Sequence, residues 1–548
     1  MQRILLTLLL AAFCAHAETR PPNIVIVLTD DLGYGDLACY GNKIVKTPNL
    51  DRFALEGMRF TDCYASHPNC SPSRTGLMTG RTPTRVGISN WIPMLSPMHV
   101  PASEITIATI LRNGGYDTAH TGKWHLNGRF NLTGQPQPND HGFNHWFSTQ
   151  NNALPNHRNP WNFVRNGTPV GPLKGYASGI VTDEAIHWLR EWRDKSKPFF
   201  MFVCYHEPHE PIASDPRFEK DYPSDDPSYT AYWANVAQMD ASFGRLMAEL
   251  DKQKLRDNTF VFFTSDNGPA RTSFHPHGET ADLRDKKGSV FEGGVRVPGI
   301  IRWPGKVKPG TTESTPIIGL DLLPPLCSIT GQKKPADRHL DGTNISSLFR
   351  GEKINRTQPL YWHFYSARGG RHVAMRDGDW KLVAAIDAPQ IQQRAGIAAE
   401  DQRFYQHFGF DVESMRKAWE AHQRGEDLRG ASTITQQTVK NLLLSPHRSL
   451  LRKGVEAWLT AVAEVVWTKQ RTLTLYLNLA QFGDGLYGVE AASQHYFGKP
   501  AAKLSRSEAA WLAVLLPAPT RYRINPPTEY TRQQHAWILS QMAPTVGR

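Results

Sequence analysis

Acidic side chains placed near cations recur at two distant points of this 548-residue chain, and each grouping suits a different reaction. In the first half, an apolar run over residues 23–29 ends in Asp30-Asp31, and another over 260–265 ends in Asp266-Asn267. These four side chains offer oxygen ligands of the hard type that calcium or magnesium prefers, although acids at strand ends also serve as ordinary turn and helix caps. In the second half, Glu400 and Glu456 flank and adjoin a basic strip of Lys440, Arg452 and Lys453. Two such carboxylates fit a transfer in which one accepts a proton and the other assists cations at an anionic leaving group.

The elements that position these groups differ between the halves. The apolar runs are β-branched or aromatic without polar alternation, as expected of strands buried on both faces of a largely parallel sheet. Their polar ends then meet at one sheet edge, where ligands of open α/β sheets collect. From residue 397 the pattern turns helical, with apolar positions three or four apart over 414–423, 433–444, 450–467, 472–479 and 505–516. Pro517 and Pro519 end the last of these.

Length predicts at least two domains. Residues 1–17 read as a signal peptide: Arg3, an apolar run over 4–13, then Ala15-His16-Ala17 as the cleavage site. That run is too short for a spanning helix, which needs about 20 residues. The bulky Phe13 also argues against lipid attachment at Cys14. The mature chain is therefore expected outside the cytoplasm, in the periplasm at the outer face of the inner membrane. The net charge is +11, of which residues 388–548 carry +6 from 19 basic and 13 acidic side chains. In an exported protein this positive surface favours an anionic membrane or phosphorylated substrates and disfavours nucleic acid. Six cysteines, at 14, 39, 63, 70, 204 and 327, form neither a disulfide framework nor a zinc pattern, though one pair among Cys39, Cys63, Cys204 and Cys327 could bridge after export.

Residues 70–81, reading CSPSRTGLMTGR, resemble the signature of the sulfatase family. Further similarity lies in Gly122-Lys123-Trp124-His125, in Pro208-His209-Glu210-Pro211 and in residues 283–298. The resemblance implies an α/β alkaline-phosphatase-like fold and oxidation of Cys70 to formylglycine by a formylglycine-generating enzyme. It also implies a calcium shell of Asp30, Asp31, Cys70, Asp266 and Asn267. By the same mapping Lys123, His209 and Lys287 touch the sulfate, His125 holds the nucleophile, and Arg74 orients and neutralises it. The hydrate of formylglycine would attack sulfur, and its second hydroxyl would then release sulfate, a cycle that a plain thiol cannot complete. Fixed cations suit a sulfate ester because negative charge spreads as the bond breaks. Phosphatases of the same superfold would use serine or threonine with two metals, and Cys70 argues against them. Asn151, Asn152, His157, Trp161 and Trp362 are open candidates for contact with a sulfated carbohydrate, and His206 is expected to play a supporting role.

Residues 371–383 resemble strands of the sulfatase C-terminal subdomain, but the similarity stops there, so that subdomain is expected to be truncated, with an unpaired edge. The sulfatase-like domain is placed at 21–385 and the second domain at 388–543. In the latter, residues 400–404 (EDQRF), 429–441 (RGASTITQQTVKN) and 452–456 (RKGVE) resemble the monofunctional peptidoglycan glycosyltransferase family. That resemblance implies an all-α lysozyme-like fold acting on undecaprenyl-diphosphate-linked disaccharide-peptide. Glu400 would be the general base and Glu456 would assist departure of the lipid diphosphate. Lys440, Arg452 and Lys453 would neutralise that diphosphate with magnesium or manganese, and Asp401, Gln436 and Gln437 would be positioning residues rather than acids or bases. The usual transmembrane helix is replaced by sulfatase sequence, leaving Met415 and Leu442 to Leu444 as candidate membrane contacts. Because the glycosyltransferase half keeps more of its motif-bearing core, peptidoglycan polymerisation is expected first and sulfate-ester hydrolysis second. The third expectation is an inactive fusion that only binds wall or membrane.

Overall fold

The computed structural model describes residues 20–272, 276–367, 370–385, 390–424, 432–444 and 449–542. The signal segment, the junction at 386–389 and residues 429–431 of the second motif lie outside them. Contacts divide the chain into two compact units. The first comprises Met1–Tyr365 with Ala374–Lys381, and the second Ser366–Val373 with Leu382–Arg548.

Unit 1 is built on a ten-stranded sheet. Its strands are β1 (Asn23–Asp30), β2 (Met58–Phe60), β3 (Asp117–Lys123), β4 (His145–Thr149), β5 (Val164–Arg165), β6 (Thr168–Pro169), β7 (Phe199–Pro208), β8 (Thr259–Ser265), β9 (Gly299–Arg302) and β10 (Thr311–Glu313). The order across the sheet is β10-β2-β9-β8-β1-β7-β3-β4-β5-β6. The central strands β8, β1, β7, β3 and β4 are parallel, and β9 runs antiparallel to β8. Every residue of β1, β7 and β8 is buried, which is why these segments lack polar alternation. Ile24, Ile26 and Leu28 enter one apolar layer while Val25 and Val27 enter the other, so the sheet is covered on both faces.

The register sets the site. Thr29 on β1 lies opposite Ser265 on β8, so Asp30-Asp31 and Asp266-Asn267 leave the sheet side by side. Helix α1 (Cys70–Thr79) is buried along all ten residues and ends at Gly80, which takes the left-handed conformation at φ +65° that commonly terminates helices. Gly122 has φ +100°, and a Cβ there would sit 1.8 Å from the Cys204 carbonyl oxygen. Only glycine allows β3 to turn Lys123 and His125 into the site at that point.

A small sheet follows, of strands β11 (Leu360–Ala367), β12 (Gly370–Asp377) and β13 (Trp380–Ala385) in that order. Trp362 packs inward and donates from its indole N–H to Ala65 O at 2.8 Å, while Arg376 pairs with Asp62 and Lys381 with Glu292, each at 2.6 Å. The opposite face leaves Tyr361, Met375, Leu382 and above all Trp380, 84 % exposed, in water.

Unit 2 is largely α-helical. Its helices are α2 (Gln390–Glu400), α3 (Val412–Gln423), α4 (Ile434–Leu443), α5 (Leu450–Val466), α6 (Lys469–Leu479), α7 (Val489–Phe497), α8 (Arg506–Leu515) and α9 (Glu529–Gln541). Five match the helical stretches expected from apolar spacing to within a few residues, whereas α2, α7 and α9 were not anticipated. Side-chain caps by Thr433, Ser449, Thr468, Ser505 and Thr528 start helices here. The core gathers Phe404, Ile434, Tyr476, Leu477 and Leu512.

Candidate functional site

In unit 1, four potential ligand atoms, from Asp30, Asp31, Cys70 and His209, lie within 4.8 Å of one another. Cys70 opens α1, where unsatisfied helix N–H groups favour negative charge, and its Sγ is 3.6 Å from Asp30 Oδ1. Lys123 Nζ reaches Asp30 Oδ2 at 2.5 Å, and Lys287 Nζ reaches Asp31 Oδ1 at 2.7 Å. His209 Nε2 stands 3.5 Å from Asp31. One turn into α1, Arg74 binds Asp266 through Nε at 2.9 Å and the Lys123 carbonyl through a terminal nitrogen at 2.9 Å. Asn267 donates to Asp31 Oδ1 at 2.6 Å, and its own Oδ1 is buried without a hydrogen-bond partner. His125 donates from Nε2 to the Ile92 carbonyl at 3.0 Å, leaving Nδ1 buried and unpartnered.

The charges tune one another. Burial pushes Asp30 up, but Lys123, His209 and Arg74 outweigh it and hold the carboxyl well below the usual range. Asp31 is likewise lowered once Lys287 and His209 overcome burial. Asp266 moves the other way, to about 7, through burial and then repulsion from Asp30. Burial drives the Cys70 thiol up to about 12 against the pull of Lys123 and Lys287, so it stays protonated at neutral pH. Burial, reinforced by Lys123 and Arg74, keeps His125 neutral.

A hard divalent cation fits this donor set. Three buried carboxylates crowd together, one is pushed toward neutrality by burial and then by Asp30, and an amide oxygen is left without a donor.

Several expectations need correction. Trp362 is only 1 % exposed and bonded to Ala65, and His157 is buried against Asn235, so neither faces a sugar. The five described cysteines are all free. The segment 90–92 carries no motif that sequence reasoning could use, although the Ile92 carbonyl receives His125. His206 Nε2 sits 2.8 Å from Thr149 Oγ1.

In unit 2, Glu400 ends α2 and accepts Gln437 Nε2 at 2.6 Å; its other oxygen is buried and unpartnered. Burial raises Glu400, with Gln437 and Lys440 opposing. Glu456 on α5 is buried, and its ordinary burial penalty is outweighed by Lys453 and Arg452, the latter at 2.7 Å, so it is lowered. Lys440 is lowered by burial while both Glu456 and Glu400 pull it up, placing one ammonium in the field of both carboxylates. Gln436 is spent on the cap of α4, accepting Thr433 N–H at 3.0 Å. Both Glu456 oxygens are taken by Arg452 and Lys453, and the described residues of this unit that could together hold a metal ion are Asp401, His407 and Asp411, not Glu400 or Glu456. Asp401 instead braces His407 at 2.9 Å and the start of α4 at 3.0 Å.

Residues 22–332 match the Sulfatase family model. The chain belongs to the sulfatase family. It is 32 % identical over 406 residues to N-acetylgalactosamine-6-sulfatase of Mus musculus, covering 69 % of the chain and 75 % of the relative. Arylsulfatase A of Bos taurus is 34 % identical over 393 residues, covering 66 % and 73 %. Among solved structures, Ps i-CgsB in complex with k-i-k-neocarrahexaose aligns with a TM-score of 0.63 at 27 % identity, covering 83 % of this chain and 100 % of that one. Residues 281–395 also match the N-sulphoglucosamine sulphohydrolase C-terminal model, and 371–543 match the Transglycosylase model. This sulfatase-family chain thus carries a distinct transglycosylase-family domain, and the two matches overlap over 371–395. The weight of these similarities lies with the sulfatase half, reversing the order expected from motif completeness.

Proposed function

We propose that the chain is foremost a sulfate-ester hydrolase acting on sulfated carbohydrate at the Cys70 site of residues 21–385. The observation that carries this reading is the buried cluster of Asp30, Asp31, Cys70 and His209 ringed by Arg74, Lys123 and Lys287. Calcium held by Asp30, Asp31, Asp266, Asn267 and residue 70, with formylglycine in place of Cys70, would supply charge neutralisation and a hydroxyl nucleophile. The protein's own groups do the rest. Lys123, His209 and Lys287 bind sulfate oxygens, Arg74 holds Asp266 and the β3 end in place, and the free Nδ1 of neutral His125 accepts the nucleophile's proton. Relatives named N-acetylgalactosamine-6-sulfatase and a structure in complex with k-i-k-neocarrahexaose support the substrate class. Expression with a formylglycine-generating enzyme should yield the aldehyde at Cys70, seen by mass spectrometry, and hydrolysis of a sulfated sugar. An aldehyde-bearing chain that hydrolyses no sulfate ester would overturn the reading.

A second activity is assigned to residues 388–543: peptidoglycan polymerisation on a lysozyme-like fold. It is supported by two carboxylates whose proton affinities are pushed apart around Lys440, with Glu400 as the base and Glu456 ionised among cations. Arg452, Lys453 and Lys440 neutralise the lipid diphosphate. No helix among the described residues is long and apolar enough to cross a membrane. Yet Val455, Trp458, Val462, Val465 and Val466 stand exposed on α5, and Val412 and Met415 on α3. With the basic residues of this region, they support contact between an exported chain and an anionic bilayer. Polymerisation of lipid-linked disaccharide-peptide in anionic vesicles, abolished by Glu400→Gln, is the expected result. Equal activity in the variant would leave this domain a binding module.

A further inference from the structure

The segment 90–92 is fastened to the Cys70 site from three directions. Asn69, the residue before Cys70, donates its side-chain amide to Asn90 Oδ1 at 2.9 Å. Ile92 N donates to the hydroxyl of Ser71, the residue after Cys70, at 3.0 Å. The Ile92 carbonyl accepts His125 Nε2 at 3.0 Å and Gln150 Nε2 at 3.2 Å. Trp91 lies between these anchors, and its backbone N–H is satisfied by Asn90 Oδ1 at 2.8 Å.

The chain beyond is fixed as well. Leu95 N binds Gly128 O at 2.8 Å, Val100 N binds Leu126 O at 2.9 Å, and His99 bridges Asn127, so this loop runs along the residues that follow His125. Trp91 is nonetheless 46 % exposed, whereas Trp124, Trp188 and Trp362 are fully buried. An aromatic side chain on a backbone held by hydrogen bonds on both sides, exposed to water and one residue from groups that border a nucleophile, offers binding area at small entropic cost.

We propose that Trp91 is the platform on which the sugar ring of the sulfated substrate lies while its ester reaches Cys70. This rests on the sulfate-ester reading above and adds to it a ring-binding residue. A pyranose presents C–H faces to an indole and hydroxyls at its edges. Asn90, partly exposed next to Trp91 and braced by Asn69, places a polar amide where such an edge would lie, a group that a wholly apolar alcohol could not use.

The test uses the full, formylglycine-bearing chain with Trp91→Ala and Trp91→Phe, measuring kcat and KM separately for a sulfated disaccharide, steryl sulfate and ethyl sulfate. Trp91→Ala should raise KM for the disaccharide about tenfold with kcat little changed, Trp91→Phe should recover most of the loss, and ethyl sulfate should be affected far less. A KM rise equal for disaccharide and ethyl sulfate, no rise, or a larger rise for steryl sulfate would each overturn the proposal. Should the parent hydrolyse none of the three, the sulfate-ester reading fails on its own account. Calorimetric titration of the disaccharide into parent and Trp91→Ala chains then decides Trp91 separately, since equal or absent binding overturns it.

Discussion

The sulfatase-family site and the transglycosylase-family site handle charge in opposite ways. Around Cys70, each acid is met by a cation from far along the sequence: Asp30 by Lys123, Asp31 by Lys287, Asp266 by Arg74. Around Glu456, the cations come from the same helix, three and four residues away, and Lys453 is half exposed. A site built from distant, buried partners cannot form until its sheet has formed. One built from neighbours on a helix can keep its ion pairs through local motion, but water screens them more.

This contrast can be broken most directly at the reacting groups. Cys70→Ala should lower kcat/KM for a sulfated sugar by about 10⁴-fold or more and leave glycan polymerisation untouched. A parallel loss of both activities would mean that the two sites depend on each other. Glu400→Gln should do the converse, cutting polymerisation by about 10²–10⁴-fold. Because burial raises Glu400, the rising limb of its pH–rate profile should lie above the ordinary glutamate range. The folded state keeps this proton longer than the unfolded chain, so Glu400 costs stability as pH rises past its unfolded value. Glu400→Gln should therefore raise the melting temperature at pH 8 and change it little near pH 4.

Calcium tests the long-range site alone. At about 100 times its Kd the ion should add about 2.7 kcal/mol to unit 1, seen as a chelator-sensitive calorimetric transition, with the unit 2 transition unmoved. Gly122→Ala should cost unit 1 about 2 kcal/mol or more, from both the left-handed backbone and the encounter with the Cys204 carbonyl. Trp380→Ser, at the exposed face of the small sheet, should shift unfolding by under about 0.5 kcal/mol while reducing self-association in light scattering. A large loss of stability there would show that this face is covered in solution.

Much of the first site could be read from spacing, because strands buried on both faces announce themselves and the residues after Thr29 and Ser265 must emerge together. The partners of those acids could not be so read, since Lys123 and Lys287 look like ordinary surface lysines until the sheet brings them in. Trp362 was misjudged for a related reason: its strand alternates, and only the packing of Ala65 reveals which face is inside. In unit 2 the apolar period marked α3 to α6 and α8. It does not mark α2, α7 or α9, because small or polar residues weaken their stripes. Gln436 and Gln437 are adjacent in the motif, yet one caps a helix and the other grips Glu400, a division that only backbone geometry settles.

Helix α1 is enclosed along its whole length, and Cys70 at its tip is 2 % exposed. If Cys70 is oxidised as proposed, an enzyme-sized partner would meet it more easily before the sheet has closed around α1 than after, which would place the alteration early, during synthesis or translocation. A chain that folds ahead of that visit would be sealed in its thiol form, and the active fraction of any preparation would record a race between two proteins rather than an affinity.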